Sequence, residues 1–281
     1  MQIPTKHLVA TIAIALTISC EQAHAVVQGI DVSHFQGNIN WTSVKNDGIG
    51  FVFMKATEGV DFVDSKFTTY MPGALAANLL AGPYHFARPD SFNTNPLDAA
   101  NEANDFVDAI QPYYQSSTNM LRPVIDLERT SRQINDEAAL AAEKIFLSQW
   151  IRNFAAVVQT RLSLSPIIYT SSGFATYVLE DDLNQYPLWI ADPSSTNNFA
   201  AAAPPFQSDL GIWGNSGYTF WQWSWTGNVS GINPVDRDVF DGTLQELRQY
   251  SNSPVVPEPA TGVFALIAAA LCGASLRGRR R

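Results

Sequence analysis

Arg122-Pro123-Val124-Ile125-Asp126-Leu127-Glu128 is a short apolar run that ends in two acids one position apart. Along a strand, side chains two apart point to the same face, with Cα atoms about 6.6 Å from each other. Asp126 and Glu128 would then press on one site. Like charges held side by side destabilise, and their common use is to push two pKa values apart for acid and base work. Read locally, the same pair is also what a solvated strand end looks like, so its meaning depends on what the rest of the chain brings to it.

Short apolar runs recur at 27–33, 51–57, 80–87, 123–128, 166–170, 188–192, 218–225 and 237–240. Several are apolar at consecutive positions, as strands buried on both faces require. Helical spacing fills the intervals: Ala99, Phe106 and Ile110 mark 98–110, and Leu147, Ile151, Phe154 and Val158 mark 135–162. A third helical stretch opens at Asp64 and runs to about residue 79, whereas 193–217 reads as loop. Eight strands alternating with helices predict an α/β fold, a single flattened TIM-like β/α barrel with irregular late helices, spanning residues 26–250 as one domain. An open doubly wound sheet is the alternative.

In such barrels the loops after the strands build the site. The strand ends supply Asp31 and Ser33, Lys55 and Glu58, Tyr84 and His85, Asp126 and Glu128, Tyr169, Trp189 and Asp192, Gln222 and Trp223, with Asp236 just before the last strand. First and last strands of a barrel are neighbours, so Asp31 and Asp236 would face one mouth together with Asp126 and Glu128. Tyr84, Tyr169, Trp189 and Gln222 are the expected substrate contacts. His85 alternates with Tyr84 and so faces the other way, as a structural residue. Lys55 and Glu58 read as an ion pair beneath the site. Tyr218, Phe220, Trp221, Trp223 and Trp225 crowd one strand; about half belong to the core, and rings left at the mouth could stack on sugar faces.

Other chemistries fit worse. Between the two ends of the chain only His34 and His85 remain as histidines and there is no cysteine, which excludes Cys/His zinc clusters and thiol nucleophiles. No Gly-x-Ser-x-Gly turn and no Gly-x-x-x-x-Gly-Lys phosphate cradle occurs. No cofactor and no metal is called for. Carboxylates are the reactive groups that remain.

The ends read as targeting segments. Residues 1–25 carry Lys6, an apolar stretch from Leu8 to Ile18, and Ala23-His24-Ala25, the pattern of an export signal peptide. Thr17 is a poor residue three before Cys20, which argues against lipid attachment there. Residues 251–259 form a linker ending in Pro257-Glu258-Pro259, and 260–281 form an apolar helix closed by Arg277, Arg279, Arg280 and Arg281. This order resembles a PEP-CTERM sorting tail, which implies an exported protein of the envelope or exterior of a Gram-negative cell, held in the membrane through that helix until a processing protease removes it. A plain C-terminal anchor is the simpler alternative. Of the chain's 17 basic and 26 acidic residues, five basic and two acidic lie in these ends, so residues 26–253 keep 12 and 24 and a net charge of −12. Such a surface disfavours nucleic acid and anionic lipid as partners and is compatible with an uncharged carbohydrate.

Several motifs, in order, identify a family. Gly29-Ile30-Asp31-Val32-Ser33-His34-Phe35-Gln36-Gly37, Asn40-Trp41, Phe53-Met54-Lys55-Ala56-Thr57-Glu58-Gly59 and Gly82-Pro83-Tyr84-His85-Phe86 come first. Asp126-Leu127-Glu128, Trp221-Gln222-Trp223-Ser224 and Val235-Asp236-Arg237-Asp238 follow. Together they resemble glycoside hydrolase family 25, the Chalaropsis-type lysozymes, across most of residues 28–245. The resemblance implies a flattened β/α barrel that cleaves the β-1,4 bond between N-acetylmuramic acid and N-acetylglucosamine, with peptidoglycan glycan strands as partner. Carried over motif by motif, it implies Glu128 as general acid and Asp126, Asp31 and Asp236 as acidic companions, with Asp238 competing for the last place. Neighbours on one strand face cannot easily flank a glycosidic bond from both sides, so substrate assistance is expected: the 2-acetamido oxygen attacks, Asp126 orients it, and Glu128 carries the proton. Two other readings stand beside this one. A chitinase-like barrel would carry a third Asp two before Asp126, where this chain has Val124. A wall-binding module without turnover would keep the barrel but not need its acids.

Overall fold

The computed structural model describes residues 26–90, 97–194, 196 and 198–252. The signal segment 1–25, all of the linker beyond residue 252, and the C-terminal tail lie outside the described residues, as do both cysteines.

Eight strands close into a barrel. They are β1 (Val26–Val32), β2 (Phe51–Glu58), β4 (Leu80–Phe86), β5 (Val124–Asp126), β6 (Ile167–Ser171), β7 (Leu188–Ala191), β8 (Phe220–Val229) and β9 (Ile232–Asp241), and the two-residue β3 (Phe62–Val63) pairs only with the end of β2. Neighbours run in the order β1, β2, β4, β5, β6, β7, β8, β9, and β1 pairs with both β2 and β9 to complete the ring. The first seven are parallel to one another. β9 runs against both β8 and β1, because a tight hairpin at Ser230-Gly231 replaces the helical crossover that a parallel last strand would need. Gly231 sits at φ +95°, where any Cβ would also come within 2.6 Å of the Asn40 carbonyl.

The expected strands are all present, with two shifted boundaries that matter. The last spans ten residues rather than 237–240, so Asp236 lies within it instead of just before it. The strand expected at 123–128 is shorter, and Glu128 sits two residues past its end.

Helices cover the outside: α1 (Trp41–Asn46), α2 (Phe67–Ala76), α3 (Asp98–Ser116), α4 (Glu137–Leu162), α5 (Ser172–Tyr177) and α6 (Leu244–Leu247). The apolar positions expected on α3 and α4 are buried against each other and the sheet, and Asp136 caps α4 by accepting from the Ala139 amide at 2.7 Å. α3 runs through Pro112 to Ser116, because burial of its face outweighs the bond that Pro112 cannot make. Late in the chain helices give way to 3-10 turns at Phe199–Ala201 and Gln207–Trp213, matching the irregularity expected there. Among the described residues no helix is long and apolar enough to cross a membrane.

Period-two alternation divides each strand between two cores. Ile30, Val32, Val52, Met54, Ile125, Ile168, Ile190, Trp221 and Trp223 face the helices. Phe51, Phe53, Leu80, Val124, Ile167, Trp189, Phe220 and Phe240 fill the barrel. Inside, Phe53 stacks on Trp189 with centroids 4.5 Å apart and meets Phe220 edge-on at 5.1 Å. Gly82 makes room for this floor, since a Cβ there would lie 2.5 Å from the Phe53 ring. The aromatic plug fills the lower barrel and leaves the upper, C-terminal layer of the parallel strands to polar side chains.

Candidate active site

The same alternation that fills the barrel builds its mouth. One step above Phe53 on β2 the inward residue is Lys55; above Gly29 on β1 it is Asp31; above Gly82 on β4, Tyr84; above Val124 on β5, Asp126; above Ile167 on β6, Tyr169; above Phe220 on β8, Gln222. β9 runs the other way, so inward residues before Phe240, namely Asp238 and then Asp236, climb towards the same mouth. Its register sets Asp236 directly beside Asp31. The result is a cleft with room for about 200 Å³. All eight side chains singled out from the sequence line it: Asp31, Tyr84, Asp126, Glu128, Tyr169, Trp189, Gln222 and Asp236. Asp192, also at a strand end, does not line it.

Gln222, buried on β8, is the hub of the polar floor. Its Nε2 donates to Asp31 Oδ2 at 2.7 Å, and its Oε1 accepts from Tyr169 OH at 2.8 Å and from Trp225 Nε1 at 2.9 Å. Beneath Asp31, Asp238 accepts from Trp189 Nε1 at 3.0 Å. Of the crowded aromatics, Phe220, Trp221 and Trp223 are core, whereas Trp225 is exposed beside Gln222.

Five carboxyls share this space, and burial dominates the chemistry of the four aspartates. Desolvation raises Asp31 to about 6 against the lowering hydrogen bonds from Gln222 and Asp238. Desolvation, then the charges of Asp31 and Glu128, raise Asp236 to about 8. Asp126 and Asp238 are pushed well above the ordinary carboxylate range, chiefly by burial, with neighbouring acids adding to it. Asp126 Oδ1 and Asp238 Oδ2 are buried without a hydrogen-bond partner among the described residues. Glu128 beside Asp126 and Asp31 beside Asp238 raise these two carboxyls further, which favours a proton on each. The cleft therefore holds two close carboxyl pairs, Asp126 with Glu128 and Asp238 with Asp31. Of the Asp126 pair, Asp126 is buried and Glu128 exposed. Burial likewise keeps Tyr84 and Tyr169 as neutral phenols that can donate.

Two features were not singled out in the sequence. Phe35, 81% exposed, lines the cleft on a 3-10 turn, His34–Gln36, that is capped reciprocally by Ser33 and Gln36. His34 anchors that turn by giving its backbone N–H and Nδ1 to buried Asp64, at 3.1 and 2.6 Å. Phe86 also lines the cleft, at the end of β4. Lys55 does pair with Glu58, which Arg88 joins, but Lys55 lines the cleft rather than lying beneath it. His85 faces the helices, fully buried, between Thr57 at 2.8 Å and Glu102 at 2.7 Å.

The model of glycosyl hydrolases family 25 matches residues 30–232. The chain belongs to that family. It is thus a glycoside hydrolase, and the family's solved members share its architecture. A lysozyme from Streptomyces coelicolor is 30% identical, superposes with a TM-score of 0.61, and is matched over 80% of this chain and 97% of its own. A family 25 lysozyme from Aspergillus fumigatus is 27% identical with a TM-score of 0.60, over 82% of this chain and 100% of its own. By sequence, lysozyme M1 of Streptomyces globisporus is 31% identical over 233 residues, which cover 81% of this chain and 72% of that protein. An N,O-diacetylmuramidase of Arthroderma benhamiae is 29% identical, over 80% of this chain and 86% of its own. Within this family 25 barrel the acid-lined cleft is the natural place for the reaction.

Proposed function

We propose that this family 25 hydrolase is a muramidase that cuts the β-1,4 bond between N-acetylmuramic acid and N-acetylglucosamine in peptidoglycan glycan strands. The observation that carries the reading is the Asp126–Glu128 pair: one buried and one exposed carboxyl at the end of one strand, both lining the cleft, with Asp126 pushed well above the carboxylate range by burial and then by Glu128. Glu128 is the general acid at the open side of the cleft. Asp126 is the partner of the substrate's acetamido group. When the acetamido N–H donates to Asp126, the proton that Asp126 holds passes to Glu128, which delivers it to the leaving oxygen. The acetamido oxygen attacks the anomeric carbon from the opposite side, and Glu128, now a carboxylate, takes a proton from the water that opens the cyclic intermediate. Asp31 and Asp236 complete the acidic wall, and Tyr84, Tyr169, Trp189 and Gln222 contact the sugar. Neighbouring carboxyls on one strand end favour this route over one in which two carboxyls flank the bond.

Clearing of a bacterial wall suspension by the protein, beside Glu128→Gln, tests the activity. Glu128 is exposed, so the variant should fold as the wild type does and lose about a hundred- to ten-thousand-fold in rate. Wall binding without clearing by the wild type would support a binding module instead. Anomer analysis of the first-formed product tests the route, since an inverted product would sink substrate assistance.

We also propose that residues 1–25 direct export, and that residues 260–281 hold the protein in the membrane until a protease cuts near the Pro-Glu-Pro motif. The support is the sequence pattern alone. Intact-mass measurement of the protein from the producing cell checks it: a mass that retains both ends would exclude processing.

A further inference from the structure

Resting on the muramidase reading, we propose that Phe86 and the cations around it form a carboxylate-binding subsite at the rim of the cleft. Three of the twelve basic residues in 26–253 converge on that one ring, in a domain whose net charge is strongly negative. Lys55 Nζ lies 4.8 Å from its centroid, Arg88 Cζ 5.0 Å and Arg129 Cζ 5.7 Å. The ring offers a face that holds cations. Glu58, which bonds both Lys55 and Arg88, can neutralise only one of them. Arg129 is exposed and has no carboxylate partner among the described residues; its one recorded contact is the Phe86 ring. The Phe86 ring under Arg129 lines the same cleft as Glu128, which places the cluster at the cleft's edge.

The cluster keeps a surplus of positive charge at the edge of an acid-lined cleft. An uncharged sugar gives such a surplus nothing to bind. A carboxylate does, because a guanidinium presents parallel N–H donors that match its two oxygens. In a muramyl glycan that carboxylate has two sources: the lactyl ether of the sugar itself and the peptide attached to it. Either would reach the rim while the sugar ring occupies the cleft.

The test uses the full chain and three glycans: peptide-bearing strands, strands stripped of peptide so that the lactyl carboxylate is free, and carbodiimide-amidated strands with no carboxylate. Arg129→Gln should raise KM about fivefold on the carboxylate-bearing glycans, the scale of one partly exposed charge pair. Its kcat should stay within about twofold, and amidated strands should show no difference between variant and wild type. Arg129→Lys should recover part of the loss, and the effect should shrink at high salt. A fivefold effect on only one carboxylate-bearing glycan names the source. Equal KM for variant and wild type on every glycan, or an equal loss on amidated strands, overturns the subsite. Binding is measured in parallel with Glu128→Gln and with Glu128→Gln/Arg129→Gln, so the subsite is judged even without turnover. Wild type that cleaves none of the glycans would refute the muramidase reading; cleavage with no Arg129 effect would refute the subsite alone.

Discussion

Asp236→Asn should stabilise the protein at neutral pH while impairing it as an enzyme. Asp236 is half-buried beside Asp31, and its pKa stands at about 8 against 3.8 for an ordinary aspartate. The sign follows from linkage: a raised folded pKa means the folded state holds a proton that the unfolded chain has lost. Stability from that group is therefore fully present below about pH 4 and is lost as pH rises towards 8. At pH 7 the interval above 3.8 amounts to about 4 kcal/mol at 1.36 kcal/mol per unit, and screening at the open side of the cleft brings this to about 2 kcal/mol. An asparagine carries no charge to lose and escapes the penalty. For a domain of this size the gain at pH 7 corresponds to a rise in Tm of about 4–8 °C, falling to nearly none at pH 3.5. Thermal unfolding of both proteins at pH 3.5, 5, 7 and 8.5, with urea titrations at the same points, gives the difference directly. A difference that is constant with pH, or that grows towards acid, would refute the account of burial and repulsion.

Asp126→Asn should lower kcat sharply on acetylated glycan, and de-N-acetylated glycan should be nearly inert to wild type and variant alike; rapid wild-type cleavage of the latter would count against acetamido assistance. Gln222→Leu removes the donor to Asp31 and should lift that carboxyl above its present value of about 6, by about one to two units for a charge-assisted hydrogen bond. Carboxyl-carbon NMR titration reads the shift. The same change leaves buried Tyr169 OH without its acceptor, which should cost about 1–3 kcal/mol in urea unfolding. Gly82→Ala should lose about 1–3 kcal/mol in the same measurement, because its Cβ would press on Phe53 in the barrel floor.

The barrel was legible because its strands are apolar on both faces and its inward polar residues come one step above the plug. Reading Asp31, Tyr84, Asp126, Tyr169 and Gln222 as strand ends was enough to place them together. Two things escaped. The direction of the last strand is set by a hairpin at Ser230-Gly231, a local turn that looks no different in sequence from a loop leading into a crossover. Arg129 escaped because its neighbour Phe86 belongs to another strand end, 43 positions away, and nothing local to either residue marks the contact. The ion pair at Lys55 was legible as a pair but not as part of the cleft, since spacing says which side chains can meet and not what else meets them.

The reversed last strand explains how five carboxyls come to share one mouth. A parallel strand presents only its final residues there, as β5 does with Asp126. An antiparallel strand enters from the mouth and descends, so β9 contributes Asp236 at the rim and Asp238 one inward step below, each next to β1. Such crowding is tolerable only if charge is shed. Burial and mutual repulsion raise Asp126, Asp236 and Asp238, so these carboxyls hold protons at neutral pH, and the nearby Lys55 charge acts the other way on Asp126. The cleft is then mildly rather than strongly negative, with a positive rim at Arg88 and Arg129. On the proposed route that division has a consequence: the proton held by buried Asp126 is the one Glu128 would receive. The burial and repulsion that would leave a proton on Asp126 are of the same kind as those that Asp236→Asn would relieve, so the stability test on Asp236 also bears on the proposed route.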